Sequence, residues 1–272
     1  MSPFKKHVFK IVAGMALEIG LGGFVQAASM FTVNPAAIGV TGSTADSFSA
    51  VSITGNSSEL LHTTYNSSHV VTGHIGSGFV KYGYFSDDNL NMFLTSTSKN
   101  TGYLLYVLFQ FSETLGVAPR PSSTNENTLT SLTYQMYADV GANDTFTLAS
   151  INGTEAIVHV VGNDTLLGTG SLSSGTSVFT ANNGAALDVS TTFIQTAAGK
   201  AFFPVPSQFF SGTYNAFVNS ANGATFKPDG SLISINNAGG VTTFNYAVPE
   251  PASIALLGLG LLALGVSGRR KR

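Results

Sequence analysis

Tyr103-Leu-Leu-Tyr-Val-Leu-Phe-Gln-Phe111 decides the fold class. Its first half is apolar at every position and its end alternates. That pattern suits a strand covered on both faces near its start. The length would also permit a helix, but the aromatic and β-branched content favours a strand. Downstream, Leu132, Tyr134 and Met136 alternate with Ser131, Thr133, Gln135 and Tyr137, the period of a half-buried strand. Upstream, Val70 to Ile75 and Phe79 to Phe85 read as two strands joined by a hairpin turn at Gly76-Ser77-Gly78. Glu155 to Val161 follows the turn pair Asn152-Gly153. Further strands are expected at Val178 to Thr180, Leu187 to Ile194, Tyr214 to Val218, Leu232 to Ile235 and Val241 to Tyr246. Pro119-Arg120-Pro121 and the polar run to Thr128 read as an exposed loop. Phe202-Phe203-Pro204-Val205-Pro206 and Phe209-Phe210 read as an edge or a packed loop. The body shows no long amphipathic helix and no long repeat. Short strands punctuated by turns predict an all-β body, a β-sandwich or a barrel.

Composition narrows the function classes. The chain has 272 residues and no Cys, which excludes disulfides, thiolate metal sites and Cys nucleophiles. Of its 12 Lys and Arg, three lie within residues 1–27 and four within 248–272, leaving 5 between them. Of its 14 Asp and Glu, only Glu18 and Glu250 lie in those ends, leaving 12. The central body therefore carries 5 minus 12, a net charge of −7, against −2 for the whole chain. Nucleic acid, which needs a basic face, is disfavoured as a partner. Divalent cations or a hydrated matrix suit such a surface.

The two ends read as addresses. Ala252 to Gly268 carries no charge and is rich in leucine, and it is followed by Arg269-Arg270-Lys271-Arg272. A helix of that length spans roughly 25 Å, a little short of the roughly 30 Å hydrocarbon core. It lacks the polar stripe of a core helix. At the other end Lys5, Lys6 and Lys10 precede the mostly apolar Ile11 to Val25, and cleavage is expected near Ala27. Glu18 departs from that pattern. Basic residues at both ends place both in the cytoplasm and the body outside. The expected division is a signal peptide at 1–27, an exported β-rich domain at 28–247 and a sorting tail at 248–272 with a transmembrane helix.

Val248-Pro249-Glu250-Pro251, the apolar helix and the basic stop together resemble the PEP-CTERM sorting signal of exported bacterial proteins. The resemblance implies delivery by the Sec export machinery, transient residence in the inner membrane and cleavage near Pro249-Glu250-Pro251 by exosortase. Four body segments are similar to flocculation-associated PEP-CTERM proteins. They are Phe31-Thr32-Val33-Asn34-Pro35, Tyr103 to Phe111, Tyr137 to Thr145 and Phe203-Pro204-Val205-Pro206. That similarity implies a non-enzymatic protein of the cell surface or extracellular matrix that supports flocculation or biofilm cohesion with exopolysaccharide.

Chemistry is sparse in the body. Asp139, Asn143 and Asp144 follow a strand and offer oxygen ligands for Ca²⁺, although Asx side chains also cap their own turns. Asp87-Asp88-Asn89-Leu90-Asn91 imitates an EF-hand start, but Met92 replaces the glycine and Ser98 the glutamate. His69 stands seven residues from His62 and five from His74, odd spacings, so on one strand neither pair can share a face; the three are expected to be solvated. His159 is expected to be structural. The Asn-x-Ser/Thr triplets at Asn56, Asn66, Asn143, Asn152 and Asn163 match a glycosylation acceptor, a match expected by chance in a chain this rich in Ser and Thr. No hydrolase motif appears, and no spacing marks a carboxylate pair among Glu59, Glu113, Glu126 and Glu155. No catalytic residue and no obligatory cofactor is assigned. A secreted hydrolase with the same tail and a Ca²⁺-dependent binding module are the rival readings; convergent carboxylates or a Ser–His pair in a deep cleft would favour the former.

Overall fold

The computed structural model describes residues 29–89, 92–94, 102–116, 126–179, 184–207, 209, 211–218 and 223–245. The strands in chain order are β1 (Phe31–Val33), β2 (Phe48–Ala50), β3 (Ser52–Tyr65), β4 (Val71–Ser86), β5 (Met92–Leu94) and β6 (Tyr103–Thr114). They continue as β7 (Asn127–Val140), β8 (Thr145–Thr147), β9 (Ile157–His159), β10 (Thr165–Phe179) and β11 (Ala185–Thr192). The last are β12 (Ile194–Gln195), β13 (Ser211–Val218), β14 (Ala224–Phe226) and β15 (Leu232–Asn245), with one short α-helix among the described residues, α1 (Ala197–Phe202), before β13.

Eight of these strands pair in the order β3-β4-β6-β7-β10-β11-β13-β15, every neighbour antiparallel, and β15 returns to pair with β3 from Leu232↔His62 to Thr242↔Ile53. The result is a closed up-and-down barrel in which strands adjacent in sequence are adjacent in space, so no long edge is left among them. Of the two all-β architectures expected, the barrel is the one formed. Successive residues alternate between interior and exterior. On β6 the interior receives Tyr103, Leu105, Val107, Phe109 and Phe111, all buried or half-buried. The exterior positions of β6, β7 and β10 include Gln110, Thr133, Gln135, Thr169 and Ser171. This is the reverse of a lipid-facing barrel, whose apolar side chains point outward.

The interior is a packed core with cavities of about 50 Å³ and about 20 Å³. One mouth is stoppered by an aromatic plug. Phe31 of β1 meets Phe203, Phe209 and Phe244 edge-on at centroid distances of 5.7, 6.0 and 5.5 Å. Helix α1 joins this plug through Phe202, whose ring is 5.7 Å from Tyr103. Thr196 caps α1 by accepting from the Gly199 amide at 3.0 Å. The segment 202–206 is thus a packed loop, tied to β1 by the Thr32 amide donating to the Val205 carbonyl at 2.7 Å.

Between β7 and β10 the chain leaves the wall, forms the β8–β9 hairpin and lies against the outside of β3, β4 and β6. There Phe146 packs on Phe79 at 5.0 Å and on Tyr106 at 6.0 Å, and Lys81 stands 4.7 Å over its ring. This cover explains why the outward Ser58 and Leu60 are fully buried.

Two sequence expectations are corrected. Gly76-Ser77-Gly78 is not a turn: β4 runs straight through it. Both glycines face the interior, where a Cβ at Gly76 would lie 2.6 Å from the Phe111 ring and one at Gly78 2.8 Å from Glu59 Cβ. The two strands expected at 232–235 and 241–246 are one, β15, kinked by an irregularity between Asn236 and Ala238. The bulged Asn237 there has a φ of +56°. Among the described residues no helix is long and apolar enough to cross a membrane.

Candidate functional site

Three places gather chemistry. The first is an acidic cluster on the outside of the barrel, beneath the β7–β10 excursion. Asp139 ends β7 and is 1% exposed. The chain then turns through Gly141 and Ala142, both at positive φ (105° and 49°), which brings Asp144 back over Asp139. The Asp144 amide donates to Asp139 Oδ2 at 2.9 Å, and the Val161 amide donates to Asp144 Oδ1 at 2.7 Å. Asp164, just before β10, completes the group and accepts from the Tyr106 hydroxyl. One carboxylate oxygen from each of Asp139, Asp144 and Asp164 lies within 4.8 Å of the others. Burial, and then the neighbouring carboxyls of Asp164 and Asp139, push Asp144 up to about 6 against the lowering effect of the Val161 amide. Asp139 is raised as well, chiefly by burial and further by the Asp164 charge. Asp144 Oδ2 and Asn143 Oδ1 are buried, and no donor reaches either. Among the described residues no Lys, Arg or His is ion-paired to the three acids.

The sequence therefore identified Asp139, Asn143 and Asp144 as neighbours but missed Asp164 and Tyr106. Asp164 was visible only as the middle of an Asn-x-Thr triplet. A second acid at the start of the strand that pairs with β7 was the signal available. The hard oxygen set of three carboxylates fits Ca²⁺ in donor chemistry. Asp87, by contrast, accepts from the Asn89 amide at 2.9 Å and caps its own turn.

The second place is inside the barrel, near the mouth opposite the plug. His74, Glu113 and Asn127 are 1%, 3% and 5% exposed. His74 Nδ1 donates to Glu113 Oε1 at 2.5 Å, the Asn127 amide donates to the same oxygen at 3.0 Å, and the Ser177 hydroxyl donates to Glu113 Oε2. Glu59 lies on the small cavity shared with Glu113 and Ser177, and its Oε2 has no partner. Burial, then the charge of Glu113, push the Glu59 carboxyl up to about 8.

The expectation of solvated histidines is thus corrected for His74, which points inward into this network. His62 on β3 points outward to Glu155 at 3.0 Å, whereas His74 on β4 points inward, so the two do not share a site. His69 sits in the β3–β4 turn at φ +58°, and His159 bonds the Thr147 hydroxyl at 2.8 Å. A cavity of about 20 Å³ has room for about one water and none for a sugar.

The third place is the tail. Val248, Pro249, Glu250 and Pro251, the basic stop Arg269, Arg270, Lys271 and Arg272, and the cleavage position Ala27 all lie outside the described residues. No curated protein and no solved structure matches the chain. The family model for the PEP-CTERM protein-sorting motif matches residues 247–271. The chain carries a PEP-CTERM sorting motif, which supports an exported protein processed by exosortase and held transiently in the membrane.

Proposed function

We propose that this is an exported, non-enzymatic surface or matrix protein in which a water-facing barrel is the delivered cargo. Residues 1–27 are removed as a signal peptide after Sec export. Residues 28–247 form the delivered domain. Residues 248–272 pause in the inner membrane until exosortase cuts near Pro249-Glu250-Pro251. The sorting motif at 247–271 is the observation that carries this reading. The finer role is cohesion of cells in flocs or biofilm, with exopolysaccharide lying against the Ser, Thr, Asn and Gln side chains of the outer wall. Deleting residues 252–272 tests the address: uncleaved, mislocalised protein is expected, and unchanged processing would remove the reading. A knockout strain tests the role: weakened flocs are expected, and flocs as strong as the parent's would contradict it.

A second property rests on the acidic cluster, where carboxylate oxygens of Asp139, Asp144 and Asp164 converge and Asp144 Oδ2 is buried without a donor. Ca²⁺ held there would fasten the β7–β10 excursion to the wall. Because a ligand that binds only the folded state raises the melting temperature, Ca²⁺ is expected to raise it relative to chelator. Asp139→Asn/Asp144→Asn is expected to abolish the difference. Equal melting temperatures for the wild type with Ca²⁺ and with chelator would exclude the site.

A further inference from the structure

Ser177 and Asn127 are direct cross-strand partners on β10 and β7, and one buried carboxylate touches both. Glu113 Oε2 accepts the Ser177 hydroxyl proton, while Oε1 accepts from the Asn127 amide nitrogen at 3.0 Å. That nitrogen lies 3.2 Å from Ser177 Oγ. The Asn127 carbonyl oxygen accepts the Gly116 backbone N–H at 3.4 Å. His74 Nδ1 holds Glu113 Oε1 from the far side at 2.5 Å. A hydroxyl, an amide, a backbone N–H on the amide oxygen and a carboxylate spanning nucleophile and leaving group are the parts of an acyl transfer.

We propose that Ser177 and Asn127 react with each other to form an intramolecular ester that staples β7 to β10. Ser177 Oγ attacks Asn127 Cγ, and its proton passes to Glu113 Oε2. The C–O bond forms as the carbonyl electron pair moves to Oδ1, where the Gly116 N–H stabilises it. The tetrahedral centre then collapses. The C–N bond breaks, the nitrogen takes the proton back from Glu113, and ammonia leaves. Alcohol and amide become ester and ammonia, with no change of oxidation state and no added reactant.

His74 is a positioning residue that fixes the Glu113 carboxylate between the two reacting groups. Proximity supplies much of the driving geometry, since the reactants are held as neighbours by the ladder itself. The cavity of about 20 Å³ beside Glu113 and Ser177 has room for the departing ammonia and admits little water to reverse the step. In a chain without Cys, such a bond closes the loop that contains the β8–β9 hairpin. It would constrain the unfolded chain as a disulfide does.

The test is a peptide map of the folded full chain, cut by trypsin and a Glu-specific protease. Cleavage after Glu155 separates Asn127 from Ser177 in a linear chain. The expected product is one branched species that contains both residues and is about 17 Da lighter than the two peptides together, the mass of the lost ammonia. Ser177→Ala is expected to release two linear peptides of full mass, Ser177→Thr to keep the branch, and Glu113→Gln to lose it. Two full-mass linear peptides from folded wild-type protein would overturn the proposal. So would a mass loss confined to the Asn127 peptide, which marks a cyclic imide. A branch that persists in Glu113→Gln would overturn the role of the carboxylate. The wild-type map decides the bond itself even if the variants do not fold.

Discussion

Glu59 shows what one buried side chain contributes to the pH response. Its carboxyl is 6% exposed, and burial with the charge of Glu113 raises it from the ordinary 4.5 to about 8. The folded chain therefore holds this proton more tightly than the unfolded chain. The stabilisation is complete below about pH 4.5 and is lost as the pH rises through about 8. The titratable groups coupled to it are Glu113 on β6 and Tyr214 on β13. The Tyr214 hydroxyl is itself pushed far up, mainly by burial. Glu59→Gln keeps the shape and removes the titration. Urea unfolding at about pH 5 and about pH 8 is expected to show a smaller loss of stability in the variant than in the wild type. Equal losses would show that Glu59 does not hold its proton. Asp144, pushed up to about 6, adds a loss of the same sign at lower pH, which the Glu59 variant leaves in place.

At the scale of elements, the plug and the covering hairpin make separate predictions. Phe203 is fully buried among four aromatic rings, the nearest being Phe202 at 4.7 Å. Phe203→Ala is expected to cost about 3–5 kcal/mol in chemical denaturation. Phe146 is half-buried, so Phe146→Ala is expected to cost less, about 2 kcal/mol, and to unmask Phe79 and Tyr106. Equal costs would mean that the hairpin belongs to the core. Gly199 of α1 sits so close to β10 that a Cβ would lie 1.8 Å from the Leu167 carbonyl. Gly199→Ala is therefore expected to destabilise by about 1–3 kcal/mol.

These elements were unevenly legible. β6 and β7 announced themselves because their interior positions are large and apolar. β3 and most of β10 did not, because Gly55, Ser57 and Glu59 face inward on β3, and Gly168 and Gly170 lie under aromatic rings on β10. Their period-two signal is carried by small and polar residues that the barrel selects for fit rather than for hydropathy. The acidic cluster was half legible for a related reason. Asp139 and Asp144 are close in sequence, whereas Asp164 joins them only through the β7–β10 pairing. The Glu113 network draws on four different strands, and no local spacing could mark it.

For the whole molecule, one feature points to export and two others are compatible with it. The barrel turns Gln110, Thr133, Gln135, Thr169 and Ser171 outward, so this wall suits water rather than lipid. It has no Cys to be oxidised. Its chain carries the PEP-CTERM motif at 247–271. The net charge between residues 28 and 247 is −7, which favours cations near its surface. Adding salt is expected to weaken any attraction between that surface and Ca²⁺-bridged polysaccharide, read as looser flocs at high ionic strength. The most direct test is mass spectrometry of both termini of the protein recovered from outside cells that contain exosortase. The account predicts a mature chain that begins near residue 28 and ends near Pro249-Glu250-Pro251. A recovered chain that still runs through the leucine-rich segment to Arg272 would contradict it.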